Sequence, residues 1–307
     1  MTQYVVRRIA RLVLVWIGVS LVSFLILRLS GDPARTVLGD FASLSALEAY
    51  RAQHGLDRPW PVQYLDFLVR TTRGDLGMSL RFQQPNREVI FERLPATLEL
   101  AAASLFLSVV LGVPLGVLAA LRRGTILDFV ARGLVLFAQG VPNFFLAILF
   151  ILLFGVQLGW FPTGGRGDLR YLVMPAVVLS FVLLPLTLRV TRSSVLDILD
   201  KDFVRTARGK GLRALTVLTR HVLRNAALPI VTVIGVQSAL LLSGAIVTET
   251  VFSWPGIGRL LVSSITGRDF PLVQAIVLVT ATGVVAITFV VDLWYVSLDP
   301  RVGGERG

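Results

Sequence analysis

The residues with most capacity for chemistry lie in one polar stretch, Asp202–Pro229, which reads DFVRTARGKGLRALTVLTRHVLRNAALP. It carries Arg205, Arg208, Lys210, Arg213, Arg220 and Arg224, a single imidazole at His221, and Asp202 as its only acid. Cations without a paired base or nucleophile bind partners; they do not break bonds. The one other histidine is His54, no H-E-x-x-H occurs, and cysteine is absent. A thiolate site and a disulfide are therefore excluded, the redox compartment is left open, and an intramembrane enzyme is a rival reading that two histidines far apart in the chain oppose. No G-x-x-x-x-G-K-[ST] loop is present either, so the chain has no usual cradle for ATP phosphates. The chemistry on offer is docking.

The elements that must position this stretch are membrane helices. Of the 307 residues 54% are hydrophobic and only 16% charged, against roughly 25% charged in soluble domains. A helix needs about 20 mostly apolar residues to cross the hydrocarbon core. Runs of that kind occur near Ile9–Leu29, Leu98–Leu121, Gly133–Gln157, Tyr171–Val190, Pro229–Val247 and Pro271–Trp294. The expected fold is thus an all-α polytopic membrane protein of about six spans. The first run follows Arg7, Arg8 and Arg11 but continues to Leu29 with no small-residue cleavage site, so it reads as a retained helix rather than a signal peptide.

With the N-terminus and C-terminus in the cytoplasm, Arg122, Arg123, Arg132, the run Arg192 to Arg224, Arg301 and Arg306 all fall inside. The short outer loops keep only Arg166, Arg170, Arg259 and Arg268. This is the positive-inside pattern, and it accounts for much of the net charge of +11 without any nucleic acid. Basic segments near the inner face are also drawn to anionic lipid of the bilayer.

The segments are residues 1–30, a first transmembrane helix; 31–96, an extracytoplasmic cap; 97–294, the core bundle with a cytoplasmic loop at 192–228; and 295–307, a cytoplasmic tail. In the cap, Gly31-Asp32-Pro33 predicts a turn and Leu44–Tyr50 a helix stopped by His54-Gly55-Leu56-Asp57. Tyr64, Leu65, Leu68 and Val69 predict a second amphipathic helix after Pro59 and Pro61. The cap reads equally as a platform for an external partner or as a structural cover. Pro114, Pro142, Pro175 and Pro185 fall in or near spans and predict kinks, which serve a moving gate or are simply tolerated in membrane helices. Gly112 and Gly116, spaced as GxxxG, allow close helix approach. Arg28, Arg189 and Asp292 lie near span ends, so no charge relay is expected at the midplane, and the energy for any transport must come from a partner.

Within the cytoplasmic loop, Leu196, Leu199, Phe203 and Ala207 recur with helical spacing, which predicts one greasy stripe opposite Asp200, Lys201, Arg205 and Arg208. Asp197, Asp200 and Asp202 toward its start and Arg205, Arg208 and Lys210 toward its end suit the helix dipole. Gly209 and Gly211 end that helix. A second helix, with Leu215, Leu218, Val222 and Ala226 on one face, runs to Pro229 at the membrane. The pair forms either a cytoplasmic knob or an interfacial helix on the lipid.

The run Asp202-Phe203-Val204-Arg205-Thr206-Ala207, then Lys210-Gly211-Leu212, His221, Arg224-Asn225-Ala226 and Leu228-Pro229, resembles the EAA loop of binding-protein-dependent ABC importer permeases of the dipeptide/oligopeptide/nickel group. Further matches are Tyr4-Val5-Val6-Arg7-Arg8, Gly31-Asp32-Pro33-Ala34, Gly55-Leu56-Asp57-Arg58-Pro59, Gly74-Asp75-Leu76-Gly77, Glu249 to Gly258, Arg268-Asp269-Phe270-Pro271 and Leu298-Asp299-Pro300-Arg301. The long first outer loop is similar to that of the first permease of such pairs. Arg205-Thr206-Ala207 stands where the parent pattern has Glu-Ala-Ala, Gly209 where alanine is commoner, and Ser30 where proline often occurs.

The resemblance implies a type I importer permease in a prokaryotic inner membrane, paired with a second homologous permease and two nucleotide-binding ATPase subunits. It also implies an extracytoplasmic substrate-binding protein; ATP and Mg would be bound by the ATPase subunits and no cofactor by this chain. Coupling would fall to Leu199, Asp202, Phe203, Arg205, Thr206, Ala207, Gly209, Lys210, Gly211 and Leu212, with Asn225, Leu228 and Pro229 at the loop-to-helix junction. Leu199, Phe203 and Ala207 would make the apolar contact and Arg205 and Lys210 the polar ones. Di- or oligopeptides are the expected substrates, with nickel chelates, glutathione or sugars as alternatives. Gln139, Asn143 and Gln237 are candidate path residues, although polar groups in membrane bundles also serve as interhelical glue. A stand-alone channel or secondary carrier is the rival reading, and sparse intramembrane charge opposes it.

Overall fold

The computed structural model describes residues 2–29, 33–39, 41–53 and 55–298, and among them the regular structure is helical, with no strand. Gly31-Asp32, Ser30, His54 and the tail from Asp299 lie outside the described residues. Helices follow in the order α1 Thr2–Leu29, α2 Pro33–Leu38, α3 Leu44–Gln53, α4 Trp60–Thr72 and α5 Asn86–Leu121. Next come α6 Ile126–Gly140, α7 Asn143–Phe150 with a π-helical continuation Ile151–Gln157, and α8 Leu169–Leu199. The chain ends with α9 Asp202–Gly209, α10 Ala214–Thr216 continued by a π turn Val217–Leu223, α11 Arg224–Gly244, α12 Ile246–Val251, α13 Ile257–Thr266 and α14 Phe270–Leu298. Five helices are long and apolar enough to cross a membrane, six if α6 and α7 together make one span.

Two compact units form. One gathers Met1–Pro95 with Gly256–Val285, the other Ala96–Pro255 with Ala286–Gly307. In the first, Val89, Ile90, Ile257, Leu260, Leu272 and Ile276 make the core. The buried Asp269 organises the polar turn over it: its carboxylate accepts from Ser79 Oγ at 2.5 Å, from the backbone N–H of Leu80 and Arg81 at 3.2 Å each, and from the N–H of Leu272 at 3.3 Å. A buried carboxylate is tolerable only when donors replace its water, and four do so here. The two cap helices expected from sequence form as α3 and α4. Pro61 is accommodated because it sits in the first turn of α4, where no intrahelical N–H bond is lost.

In the second unit, α8 stays one continuous helix despite Pro175 and Pro185. The span expected at Gly133–Gln157 is instead broken: α6 and α7 meet at an angle of 99° across Val141-Pro142. The cause is local, since proline disfavours the helical region for the residue before it, and Val141 is extended at φ −91°, ψ 121°. The GxxxG pair makes a true close approach of α5 to α8. A Cβ at Gly112 would come within 2.9 Å of Thr187 Cγ2, and one at Gly116 within 2.8 Å of both the Leu188 carbonyl oxygen and Thr191 Cβ. Because a backbone oxygen cannot swing aside, Gly116→Val is expected to cost about 1–3 kcal/mol through overpacking. The check is a lower thermal midpoint of the purified chain, with Gly133→Val, whose Cβ would meet nothing within 4 Å, as the neutral control.

A buried polar chain crosses the same seam. Ser108 Oγ and Thr187 Oγ1 lie 3.0 Å apart, Thr187 Oγ1 donates to Gln237 Oε1 at 3.0 Å, and Gln237 Nε2 donates to the Leu183 carbonyl at 2.7 Å. Such bonds hold membrane helices at about 0.6–2 kcal/mol each.

Candidate docking site

The polar loop expected at 192–228 is built from the end of α8. That helix runs on to Leu199, where Asp200 caps it and Lys201 turns extended at ψ 145° before α9 begins at Asp202. The greasy stripe expected through Leu196, Leu199, Phe203 and Ala207 therefore does not exist as one face. The break resets helical phase, so residues on either side of it do not share a 3.6-residue repeat.

Observed burial follows the reset phase. Val204 and Ala207 are buried against Val195, Val217, Val222 and Ala226, with Leu199 packed beside them. Ala207 is thus part of the chain's own core rather than an outward contact, while Leu199 is half-buried beside it. Phe203 is left facing out, 43% exposed, together with Leu212 at 42% and Leu215 at 71%. Asp202, Arg205, Thr206, Gly209 and Lys210 are exposed around them. The Asp202–Arg205 pair, 3.6 Å apart, is a surface contact of little weight.

The end of α9 is closed by two backbone hydrogen bonds. Gly211 N–H donates to the Arg208 carbonyl at 2.9 Å and Leu212 N–H reaches the Ala207 carbonyl at 3.4 Å, with Gly211 left-handed at φ +75°. That pair of bonds is the Schellman arrangement, which calls for glycine at the left-handed position. Gly209, by contrast, is the last residue of α9 rather than part of the turn.

The second helix also departs from expectation. It begins at Ala214, slips phase through the π turn, and passes through Pro229 inside α11 instead of ending there. The i→i+5 bonds of a π turn shift the buried face, which is why Leu215 points out while Val217, Val222 and Ala226 point in. Asn225 is exposed and donates to the His221 carbonyl at 2.6 Å; Leu228 is half-buried and Pro229 exposed.

Of the candidate path residues, Gln139 is exposed on α6. Asn143 is half-buried at the start of α7, donating to Thr248 Oγ1 at 3.0 Å, and its Oδ1 is buried with no partner among the described residues. Gln237 is buried, and its amide is spent on Leu183 and Thr187, so it ties α8 to α11 rather than lining a path.

One ionic site escaped the sequence reading. Asp128, 1% exposed in the first turn of α6, accepts from Arg192 Nε at 2.7 Å and Nη2 at 2.9 Å, and from Gly124 N–H at 3.1 Å; Arg132 lies 3.6 Å away. The only signal was an acid amid Arg122, Arg123 and Arg132, which reads as topology charge. Glu249 is likewise fully buried, accepting from Thr97 Oγ1 at 2.7 Å. No group of three or more acidic or histidine side chains that could hold a metal occurs among the described residues.

Set beside known proteins, residues 112–304 match the family described as binding-protein-dependent transport system inner membrane component, and residues 1–101 match the N-terminal component of such membrane proteins. The chain is 38% identical to the di/tripeptide transport system permease protein DppB of Pseudomonas aeruginosa, over 100% of both chains. It is 40% identical to a putative peptide transport system permease of Brucella suis, over 98% of this chain and 99% of the relative. The dipeptide transport system permease protein DppB of Escherichia coli is 37% identical over 100% of both. Among solved structures, an inward-facing MetNI methionine ABC transporter gives a TM-score of 0.59 at 19% identity, covering 68% of this chain and 96% of that one. An amino acid ABC transporter with histidines gives 0.55 at 15% identity, over 68% and 94%. These two share the fold.

Proposed function

The chain belongs to the family of inner membrane components of binding-protein-dependent transport systems, and from that premise we propose that α9 is where ATP hydrolysis by partner subunits is coupled to import of di- or oligopeptides. The observation that carries this reading is the outward-facing Phe203, set on a short helix whose other face is locked into the chain's core. A rigid apolar knob ringed by Arg205, Arg208 and Lys210 suits a cleft that is greasy at its base and acidic at its rim. A lever must be stiff to transmit motion, and the Schellman end and buried Val204 make it so.

In this proposal the N-terminus is cytoplasmic, following the positive-inside pattern. The chain supplies half of a channel; a second homologous permease supplies the other half, two ATPase subunits bind ATP and Mg, and an extracytoplasmic protein delivers substrate. This chain carries no cofactor and no catalytic site. The peptide substrate rests on what the relatives are named for transporting. Gln139 and Asn143 are the path candidates, Asn143 Oδ1 being an acceptor suited to a peptide N–H.

Co-expression with ATPase subunits of a peptide importer from the same organism tests the scheme. They are expected to co-purify with this chain, and peptide uptake into proteoliposomes should require them together with ATP. Peptide flux by this chain alone would sink the proposal.

A further inference from the structure

A groove of ≈ 430 Å³ runs between α1 and α14, walled by one face of α1 (Val15, Gly18, Val22 and Ile26, at spacings of three and four) and by Val273 and Val277 of α14. It shares Leu27, Phe270 and Gln274 with a second cavity of ≈ 460 Å³ roofed by the cap helices. The first is nearly all hydrocarbon. The second is the more polar of the two, lined among others by Arg28, Arg70, Asp75 and Asp66, two cations and two anions, with Asp66 also 3.4 Å from Arg58. An apolar slot in membrane-spanning helices that opens into a charge-balanced polar chamber matches an amphiphile with a zwitterionic head.

Two side-chain amides sharpen the match. Gln274, 9% exposed, stands where the slot becomes the chamber, and its Nε2 is a buried donor with no partner among the described residues. Gln63, 7% exposed on the chamber wall, donates through Nε2 to the carbonyls of Leu56 at 3.0 Å and Arg58 at 2.6 Å, leaving Oε1 buried without a donor. Buried polar atoms left without partners are costly, so such a pair marks a ligand's place. We propose that the groove and chamber together hold one glycerophospholipid bearing a primary ammonium headgroup. Its acyl chain lies between α1 and α14 and its ester carbonyl accepts from Gln274 Nε2. Its phosphate faces Arg28 and Arg70, and its ammonium faces Asp66, Asp75 and Gln63 Oε1. A quaternary choline head has no N–H for that last acceptor.

The test uses the assembled transporter, incubated with vesicles of equimolar phosphatidylethanolamine and phosphatidylcholine, stripped of loose lipid in detergent, and weighed by native mass spectrometry. One retained phosphatidylethanolamine per copy of this chain is expected, favoured over phosphatidylcholine by about fivefold, the ratio a single net hydrogen bond supplies. Gly18→Phe fills the slot without a clash at Cβ, which meets no atom within 4 Å, and should reduce retention roughly tenfold, the ratio that about 1.4 kcal/mol supplies. Gln63→Leu should bring the headgroup ratio close to one. If Gly18→Phe prevents assembly, the Gln63→Leu ratio decides alone. Equal lipid retention in wild type and Gly18→Phe, no headgroup preference in wild type, or a photo-cross-link from Val22 to the second permease with no lipid retained would each overturn the assignment.

Discussion

Phe203→Asp is expected to abolish coupled peptide import while leaving the chain inserted and folded. The side chain is 43% exposed on the chain itself, so placing a carboxylate there costs the isolated subunit little. Against an apolar cleft the same carboxylate must shed its water without a donor, and the anchoring ring is lost. Removing a central aromatic anchor commonly costs about 2 kcal/mol or more, roughly thirtyfold in affinity. The ATPase subunits should fail to co-purify, and uptake should fall to the level without ATP. Gly211→Pro should act similarly by another route: proline cannot take φ +75° and has no N–H for the Arg208 carbonyl, so the end of α9 unwinds. Ala207→Asp is the contrasting case, because it buries a charge in the chain's own core and should lower the yield of folded protein. Normal uptake by Phe203→Asp with its ATPase subunits would refute docking through α9.

The second large effect is expected at Asp128. Its carboxylate, 1% exposed, makes a two-pronged contact with Arg192, which lies on the last turns of α8 just before α9. Asp128→Ala leaves that guanidinium partly buried without its anion, and breaking such a pair costs about 3 kcal/mol or more. The purified chain should unfold at clearly lower temperature. Replacing both partners, Asp128→Leu with Arg192→Leu, removes the unpaired charge and should recover most of the loss, since a buried ion pair is a weak net stabiliser. A double variant as unstable as the single one would show that the pair itself, rather than the stranded charge, carries the stability.

Much of this molecule was legible from residues alone. Apolar runs longer than a bilayer is thick predict membrane helices, and the helices follow them, lengthened at the start of α5 and at both ends of α8 and α14. Gly209 and Gly211 announced the end of α9, and of the two only Gly211 takes the left-handed conformation that favours glycine. Gly112 and Gly116 announced a close approach, although the partner, Thr187 to Thr191 on α8, lies some seventy residues away and no spacing names it.

What sequence periodicity could not decide was phase and partnership. A 3.6-residue repeat assumes one unbroken helix, and here Asp200-Lys201 and the π turn Val217–Leu223 each reset it, moving Ala207 inward and leaving Phe203 and Leu215 out. Pro142, Pro175 and Pro185 all signal kinks, yet only Pro142 makes a 99° break while α8 absorbs the other two, a difference that local sequence does not carry. Nothing local marks Asp128 among Arg122, Arg123 and Arg132, and its partner Arg192 comes from sixty-four residues on. Composition and repeat are local properties of the chain and determined where helices form and that they cross a membrane. The outward face of α9 and the partners of the buried charges depend on contacts distant in sequence, and only the tertiary structure decided those.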